Sequence, residues 1–257
     1  MTEPLTLTPL SAIPLIQPGD NLGLIIHQAI VQSGINLLDG DILVIAQKIV
    51  SKSEGRLVNL ATVIPSQRAI ELANATEKDS RIVELVLQDC KEILRTRPGT
   101  VIVEHRLGFV CANAGIDHSN VKGEGDEGEE WVLLLPENPD TSAYKIRQDL
   151  EERFGVRLGV LIIDSHGRAW RMGTTGVAIG LSGLPGLVDL RGLPDLFGFV
   201  LQITQVGAAD ELAAAASLIM GQAAEATPVV HVRGFPYPLR EAHLSELLRP
   251  REMDLFR

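Results

Sequence analysis

The chain has 257 residues, 45% of them hydrophobic and only 4% aromatic, enough for a core of Leu, Ile, Val and Ala in one large domain or two small ones. A formal net charge of −10 and a pI near 5.1 argue against non-specific binding to nucleic acid or to an anionic membrane surface. The two cysteines, Cys90 and Cys111, make no CxxC pair or Cys/His cluster of the kind a structural zinc site uses, and the sequence has neither a signal-peptide pattern nor an apolar run of about 18 residues, so a soluble, cytoplasmic protein with reduced thiols is expected.

Along the chain, Asp20 precedes a helical pattern carrying Leu22, Ile25, Ile26, Ala29 and Ile30, which Gly34 stops. Asp41–Ala46 is a continuous apolar run and predicts a strand buried on both faces. Helices are expected over Ser66–Asn74 and from Asp79 to about Cys90, then strands at Thr100–His105 and Gly108–Cys111. Lys122–Glu130 is glycine-rich and acidic, an exposed loop, and Trp131–Leu135 is a strand stopped by Pro136. Asp140 or Thr141 caps a helix over Ser142–Phe154, ended by Gly155. Arg157–Ile163 is a further strand ending at Asp164. Thr174–Gly198 reads as tight strands and turns, Ala208–Ala226 as an alanine-rich helix, and Val229–Val232 as a last strand. Helices and strands mix without strict alternation, which predicts an α+β fold with mixed sheets and flanking helices.

Asp117 and Asp164 each end an apolar run, where a carboxylate is rigidly aimed at the edge that ligands approach. Converging, they would suit Mg²⁺ or Mn²⁺, with the hydroxyl of Ser165 as a further hard oxygen; separately, each suits a turn. Lys48 and Lys52, four residues apart after the Asp41–Ala46 strand, share a face whether their segment is helical or extended. They suit phosphate oxygens or, equally, solvent. Arg168 and Arg171 suit carboxylate or phosphate, with Trp170 between them read as packing. His166 has no evident acidic partner in the sequence and reads as a loop histidine. The span Gly123–Gly128 matches GxGxxG, but no strand precedes it and its acidic residues would repel a pyrophosphate, so a dinucleotide site is rejected there; no P-loop motif occurs. Met220–Thr227 brings Gln222 and Glu225 beside a glycine.

Taken in order, Gln47–Arg56, Ala112–Val121, Asp164–Arg171, Gly176–Gly180, Asp189–Gly192 and Ala209–Ala215 resemble the signatures of the coenzyme F420-0:L-glutamate (gamma-glutamyl) ligase family, over about residues 8–245. The resemblance implies a two-lobed fold particular to that family, in a single ligase unit spanning residues 1–257 without a fused nitroreductase-like domain. It implies a homodimer that uses GTP and a pair of divalent cations, Mg²⁺ or Mn²⁺, with room for a monovalent cation such as K⁺. The implied partners are F420-0 and L-glutamate, joined by γ-glutamyl linkages through an acyl phosphate. Metal binding falls on Asp117, Asp164, Ser165 (a Thr in the family) and Gln222. Nucleotide binding falls on Ile13, Pro14, Leu15, Ile16, Gln47, Lys48, Lys52, Asn120, Met220, Gly221, Gln222, Ala223, Ala224, Glu225, Ala226 and Thr227. His118 and His166 stand where the family pattern leads one to expect smaller or aromatic residues, and no catalytic base is assigned. A related ligase acting on another carboxylate acceptor, and a non-catalytic nucleotide-binding protein that has kept the fold, are the alternatives.

Overall fold

The computed structural model describes residues 4–123 and 128–254. In chain order its elements are β1 (Thr6–Pro9), α1 (Leu22–Gln32), β2 (Ile42–Ala46), α2 (Gln47–Ser53), β3 (Leu57–Asn59), α3 (Gln67–Thr76), α4 (Ser80–Gln88), β4 (Cys90–Arg97), β5 (Thr100–His105) and β6 (Val110–Ala112). They continue with β7 (Trp131–Leu133), α5 (Pro139–Phe154), β8 (Gly159–Gly167), β9 (Thr174–Ser182), β10 (Val188–Asp189), β11 (Gln205–Val206), α6 (Ala208–Met220) and β12 (Val229–Arg233). Helices and sheets mix as α+β. The central part of the acidic loop, 124–127, and with it most of the GxGxxG match, lies outside the described residues.

The main sheet has five strands in the order β1-β12-β2-β8-β9, and only β2 and β8 run parallel. Its alternating side chains feed two cores. Leu43, Ile45, Val160 and Ile162 face α1 and α5, while Ile42, Val44, Leu161 and Ile163 face α6. A strand buried on both faces must be apolar throughout, which is why Asp41–Ala46 is legible as such a strand. The alanines of α6, with Leu212 and Met220, let that helix lie close to β9, where Gly176 has no side chain to hold it off: a Cβ there would stand 2.7 Å from Ser217 Cβ and 2.9 Å from the Ala213 carbonyl carbon. At Ile179 the register with β8 shifts by one residue. The bulge turns Gly180 toward the start of α5, where a Cβ would lie 2.5 Å from the Pro139 carbonyl carbon. A three-stranded antiparallel sheet, β4-β5-β6, packs with α3 and α4 in separate smaller cores.

Several boundaries differ from expectation. α6 stops at Met220, because Gly221 leaves helical geometry at φ 73° and Thr227 Oγ donates to the Met220 carbonyl at 2.9 Å. β8 continues past Asp164 to Gly167, since Asp164–Gly167 pair with Thr174–Val177 of β9. Ser66 and Asp79 are N-caps rather than helical residues, and Asn138, not Asp140 or Thr141, caps α5, which already starts at Pro139. Cys90 opens β4, so the second expected helix ends at Gln88. Both cysteines are free. Among the described residues no helix is long and apolar enough to cross a membrane.

Candidate active site

The parallel pair explains where chemistry gathers. Ala46, the last residue of β2, lies opposite Ile163 of β8, so Gln47 and Lys48, which open α2, and Asp164 and Ser165, the next residues of β8, emerge side by side. Antiparallel β12 starts at the same edge: the Ala46 amide donates to the Pro228 carbonyl at 2.8 Å. The segment between α6 and β12 is thereby drawn to that edge, and the chain leaving β1 is tied there by the Leu10 amide, 2.9 Å from the Val229 carbonyl. Asp117 arrives from β6 through a short 3-10 turn and is fixed by two backbone hydrogen bonds with Leu133, each 2.9 Å. Sheet edges beyond the carboxyl ends of parallel strands are where ligands commonly bind.

These segments enclose an open cleft of about 1050 Å³. It is lined by Ile13–Ile16, Gln47, Lys48, Lys52, Asp117, Asn120, Asp164, Ser165 and the whole of Met220–Thr227. Every residue assigned to a nucleotide or metal from the sequence therefore borders this one cavity, whichever ligand each contacts. α2 is a helix, so Lys48 and Lys52 lie one turn apart on a shared face. Lys48 Nζ sits 3.0 Å from Asp117 Oδ1 and donates to the Ser119 carbonyl at 3.0 Å; Lys52 Nζ donates to the Asn120 carbonyl at 2.9 Å. Gln47 is buried, donates its amide to Asp117 Oδ2 and accepts from Ser51 Oγ at 2.9 Å. Across the cleft, Asn120 donates to the Ala223 carbonyl and Ser165 Oγ to Gln222 Oε1, both at 2.9 Å.

The electrostatics mark the carboxylate corner. Burial, and next the negative charge of Asp164, push the Asp117 carboxyl above its ordinary value against the pull of Lys48 and Gln47. Burial, then the like charge of Lys48, hold the Lys52 ammonium below its ordinary value, with Asp117 opposing. Nearby Cys111 is pushed up to about 12 by burial first and by Asp164 second, so it is an inert thiol. Among the described residues no three His, Cys, Asp or Glu side chains converge as a ready metal cluster. The corner offers two carboxylates supplemented by neutral oxygens of Ser165 and Gln222. That is a hard-oxygen set, and the mutual repulsion of Asp117 and Asp164 is what a divalent cation relieves, so the residues fit Mg²⁺ or Mn²⁺.

Two readings of single residues are corrected. His166 does have an acidic partner: its Nε2 lies 3.0 Å from Asp164 Oδ2, and its ring packs on Phe109 with centroids 5.3 Å apart. The missed signal is the period of two, which puts residues 164 and 166 on one face once β8 is extended. Trp170 is not packing; it is 90% exposed. Ser119, Thr174 and Ser217 also border the cleft, and nothing in their local sequence distinguishes them.

Comparison with known proteins decides the family. Residues 11–234 match the family described as F420-0:Gamma-glutamyl ligase. The chain belongs to this family. It is 46% identical over 255 residues to the coenzyme F420:L-glutamate ligase of Methanothermobacter thermautotrophicus, covering 98% of this chain and 99% of that one. It is 44% identical to the protein of the same name from Methanocaldococcus jannaschii, over 95% of this chain and 94% of that one. A third of that name, from Methanosarcina barkeri, is 39% identical over 95% of this chain and 92% of its own length. With them, this F420-0:gamma-glutamyl ligase family member is a ligase enzyme.

Proposed function

We propose that the chain is a GTP- and divalent-cation-dependent ligase that adds L-glutamate to F420-0, and then further glutamates through γ-glutamyl linkages, by way of an acyl phosphate. The observation that carries the reading is the meeting of Asp117 and Asp164, remote in sequence, beside Lys48 and Gln47 in one cleft. Asp117, Asp164, Ser165 and Gln222 would hold Mg²⁺ or Mn²⁺, whose chemistry is to neutralise charge on the nucleotide phosphates. Lys48 and Lys52 supply fixed positive charge toward the same phosphates. Asn120, Ile13–Ile16 and Met220–Thr227 enclose the nucleotide. In the first step an acceptor carboxylate oxygen bonds to the γ-phosphorus, the bond to the β-phosphate oxygen breaks, and GDP leaves. In the second, the glutamate amine bonds to the acyl carbon, inorganic phosphate leaves with the bonding electrons, and the amine proton passes to solvent. The residues position and neutralise rather than react covalently.

A homodimer completes the proposal. The β10–β11 hairpin runs out from the body of the protein and holds Leu196 at 97%, Phe197 at 95% and Ile203 at 87% exposure, an apolar arm that a second copy would cover.

The test is GDP release with F420-0, glutamate and GTP together and with each omitted. Release only when all three are present supports the ligase, and its absence from a folded Asp117→Ala variant supports the metal assignment. Release independent of acceptor and glutamate indicates a phosphohydrolase. Turnover retained by folded Asp117→Ala overturns the role given to that carboxylate.

A further inference from the structure

Strands β8 and β9 stop pairing at Gly167 and Thr174, and both residues border the cleft. The six residues between them, Arg168–Gly173, therefore stand at its rim, and all are exposed. Trp170 takes the left-handed conformation at φ 60°, which bulky side chains rarely adopt, and its indole is left in water. The loop closes on itself: an Arg168 guanidinium nitrogen donates to the Met172 carbonyl at 3.3 Å, and the Arg171 amide donates to the Arg168 carbonyl at 3.4 Å. Among the described residues no ion pair engages either guanidinium, although acidic side chains outnumber basic ones in this chain, 33 to 23. An exposed indole with one arginine two residues before it and another directly after it suits a flat aromatic ring that carries negative charge: the ring stacks, and the charges take paired N–H donors.

Position supports the same ligand. From Asp164 to Gly167 the strand advances roughly 10 Å, so a molecule with its carboxylate beside Asp164 reaches the loop with its far end. Lys48 and Lys52 lie on α2, not on this hairpin, and are directed to the nucleotide in the reading above. The acceptor needs cations of its own.

We propose that Arg168–Gly173 is the acceptor-recognition loop, with Trp170 stacking on the planar ring system of the acceptor and Arg168 and Arg171 pairing with the anionic groups between that ring and the reacting carboxylate. The inference rests on the reading of the cleft as the place where that carboxylate meets the nucleotide. The test is calorimetric titration of the full chain with F420-0, and separately with GDP, both in the presence of Mg²⁺. Trp170→Ala weakens F420-0 binding about ten-fold or more, Trp170→Phe keeps it within about three-fold because a stacking face remains, and GDP binding changes by less than about two-fold in both. The double variant Arg168→Gln with Arg171→Gln also weakens F420-0 binding and reduces its dependence on salt.

Unchanged F420-0 affinity in Trp170→Ala overturns the proposal, as does an equal loss of GDP affinity. A simultaneous change of oligomeric state by sedimentation also overturns it, since the loop would then be a subunit contact. A wild-type chain that does not bind F420-0 overturns it outright. The two readings fail separately: F420-0 binding that depends on Trp170 without glutamate-dependent GDP release sinks the ligase reading and leaves the loop, whereas full turnover with an unaffected Trp170→Ala variant does the reverse.

Discussion

Replacing Gly176 by alanine tests how the fold delivers Gln222 to the cleft. The new methyl carbon would lie 2.7 Å from Ser217 Cβ and 2.9 Å from the Ala213 carbonyl carbon, and closer still to the carbonyl oxygen. Ordinary carbon contacts are about 3.5–4.0 Å, so α6 must move off β9 by about 1 Å. The obstruction includes helix backbone, which has no rotamer to change. Overpacking of this kind costs about 1–3 kcal/mol, reduced by about 0.4–1 kcal/mol because alanine restricts the unfolded chain. That leaves roughly 1–2 kcal/mol, or a fall in Tm of about 2–8 °C for a chain of this size. The larger effect is on rate. Met220 ends α6 and only Gly221 separates it from Gln222, so the shift carries through to the Ser165–Gln222 contact, and a misplacement of about 1 Å costs on the order of 100-fold in kcat. Differential scanning calorimetry and steady-state GDP release measure the two. Gly167→Ala is the stability control, since a Cβ there meets nothing within 4 Å. A Gly176→Ala protein with wild-type kcat and Tm would show that the close approach of α6 to β9 is not what sets the position of Gln222.

Three further outcomes follow from the same geometry. His105 is fully buried on β5, and burial pushes its imidazole down to about 4 against the attraction of Asp89; because the unfolded chain binds the proton more readily, stability falls as pH drops from about 6.5 toward 4, by up to about 3 kcal/mol, and His105→Phe flattens that limb in urea titrations across the range. His166→Phe keeps a ring against Phe109 but removes the partner of Asp164, so Mn²⁺ affinity measured by calorimetry falls about 10- to 100-fold; unchanged affinity would show that Asp164 holds its orientation without help. On the homodimer proposed above, Phe197→Asp on the hairpin arm lowers the sedimenting mass from that of two chains to that of one, and a mass unchanged from the wild-type value would refute this arm as the interface.

The sequence discloses the elements whose local pattern and tertiary setting agree. β2 is apolar throughout because it is buried on both faces, and Asp117 and Asp164 stand out because each interrupts an apolar run. What is hidden are the places where tertiary contacts override local preference. β4 reads as no particular element because its residues are half-buried and charged, and it forms through pairing with β5. Ser165, His166 and Gly167 are ordinary turn residues held in a strand by β9. Ala223, Ala224 and Ala226 favour helix, yet Gly221 ends α6 before them. Ile13–Ile16 has no periodicity at all, so only the family resemblance draws attention to it. The convergence of these segments depends on β2 and β8 being parallel neighbours, which no local pattern states.

The extra residue at Ile179 resets the phase of the β8–β9 hairpin so that each face keeps its partner on both sides of the bulge. Ala178 and Leu181 pack with α6, while Val177 and Ile179 pack on the core that holds α1 and α5. Deleting one residue there would turn every outer side chain over, so that Gly176 no longer met α6 and a valine or threonine pressed on the helix instead. Beyond the last pair, Gly167 and Thr174, no such phase is kept. Changes in length or composition at 168–173 therefore bear on what the rim of the cleft recognises, whereas a change in the spacing from Thr174 to Ser182 bears on how α5 and α6 seat on the sheet.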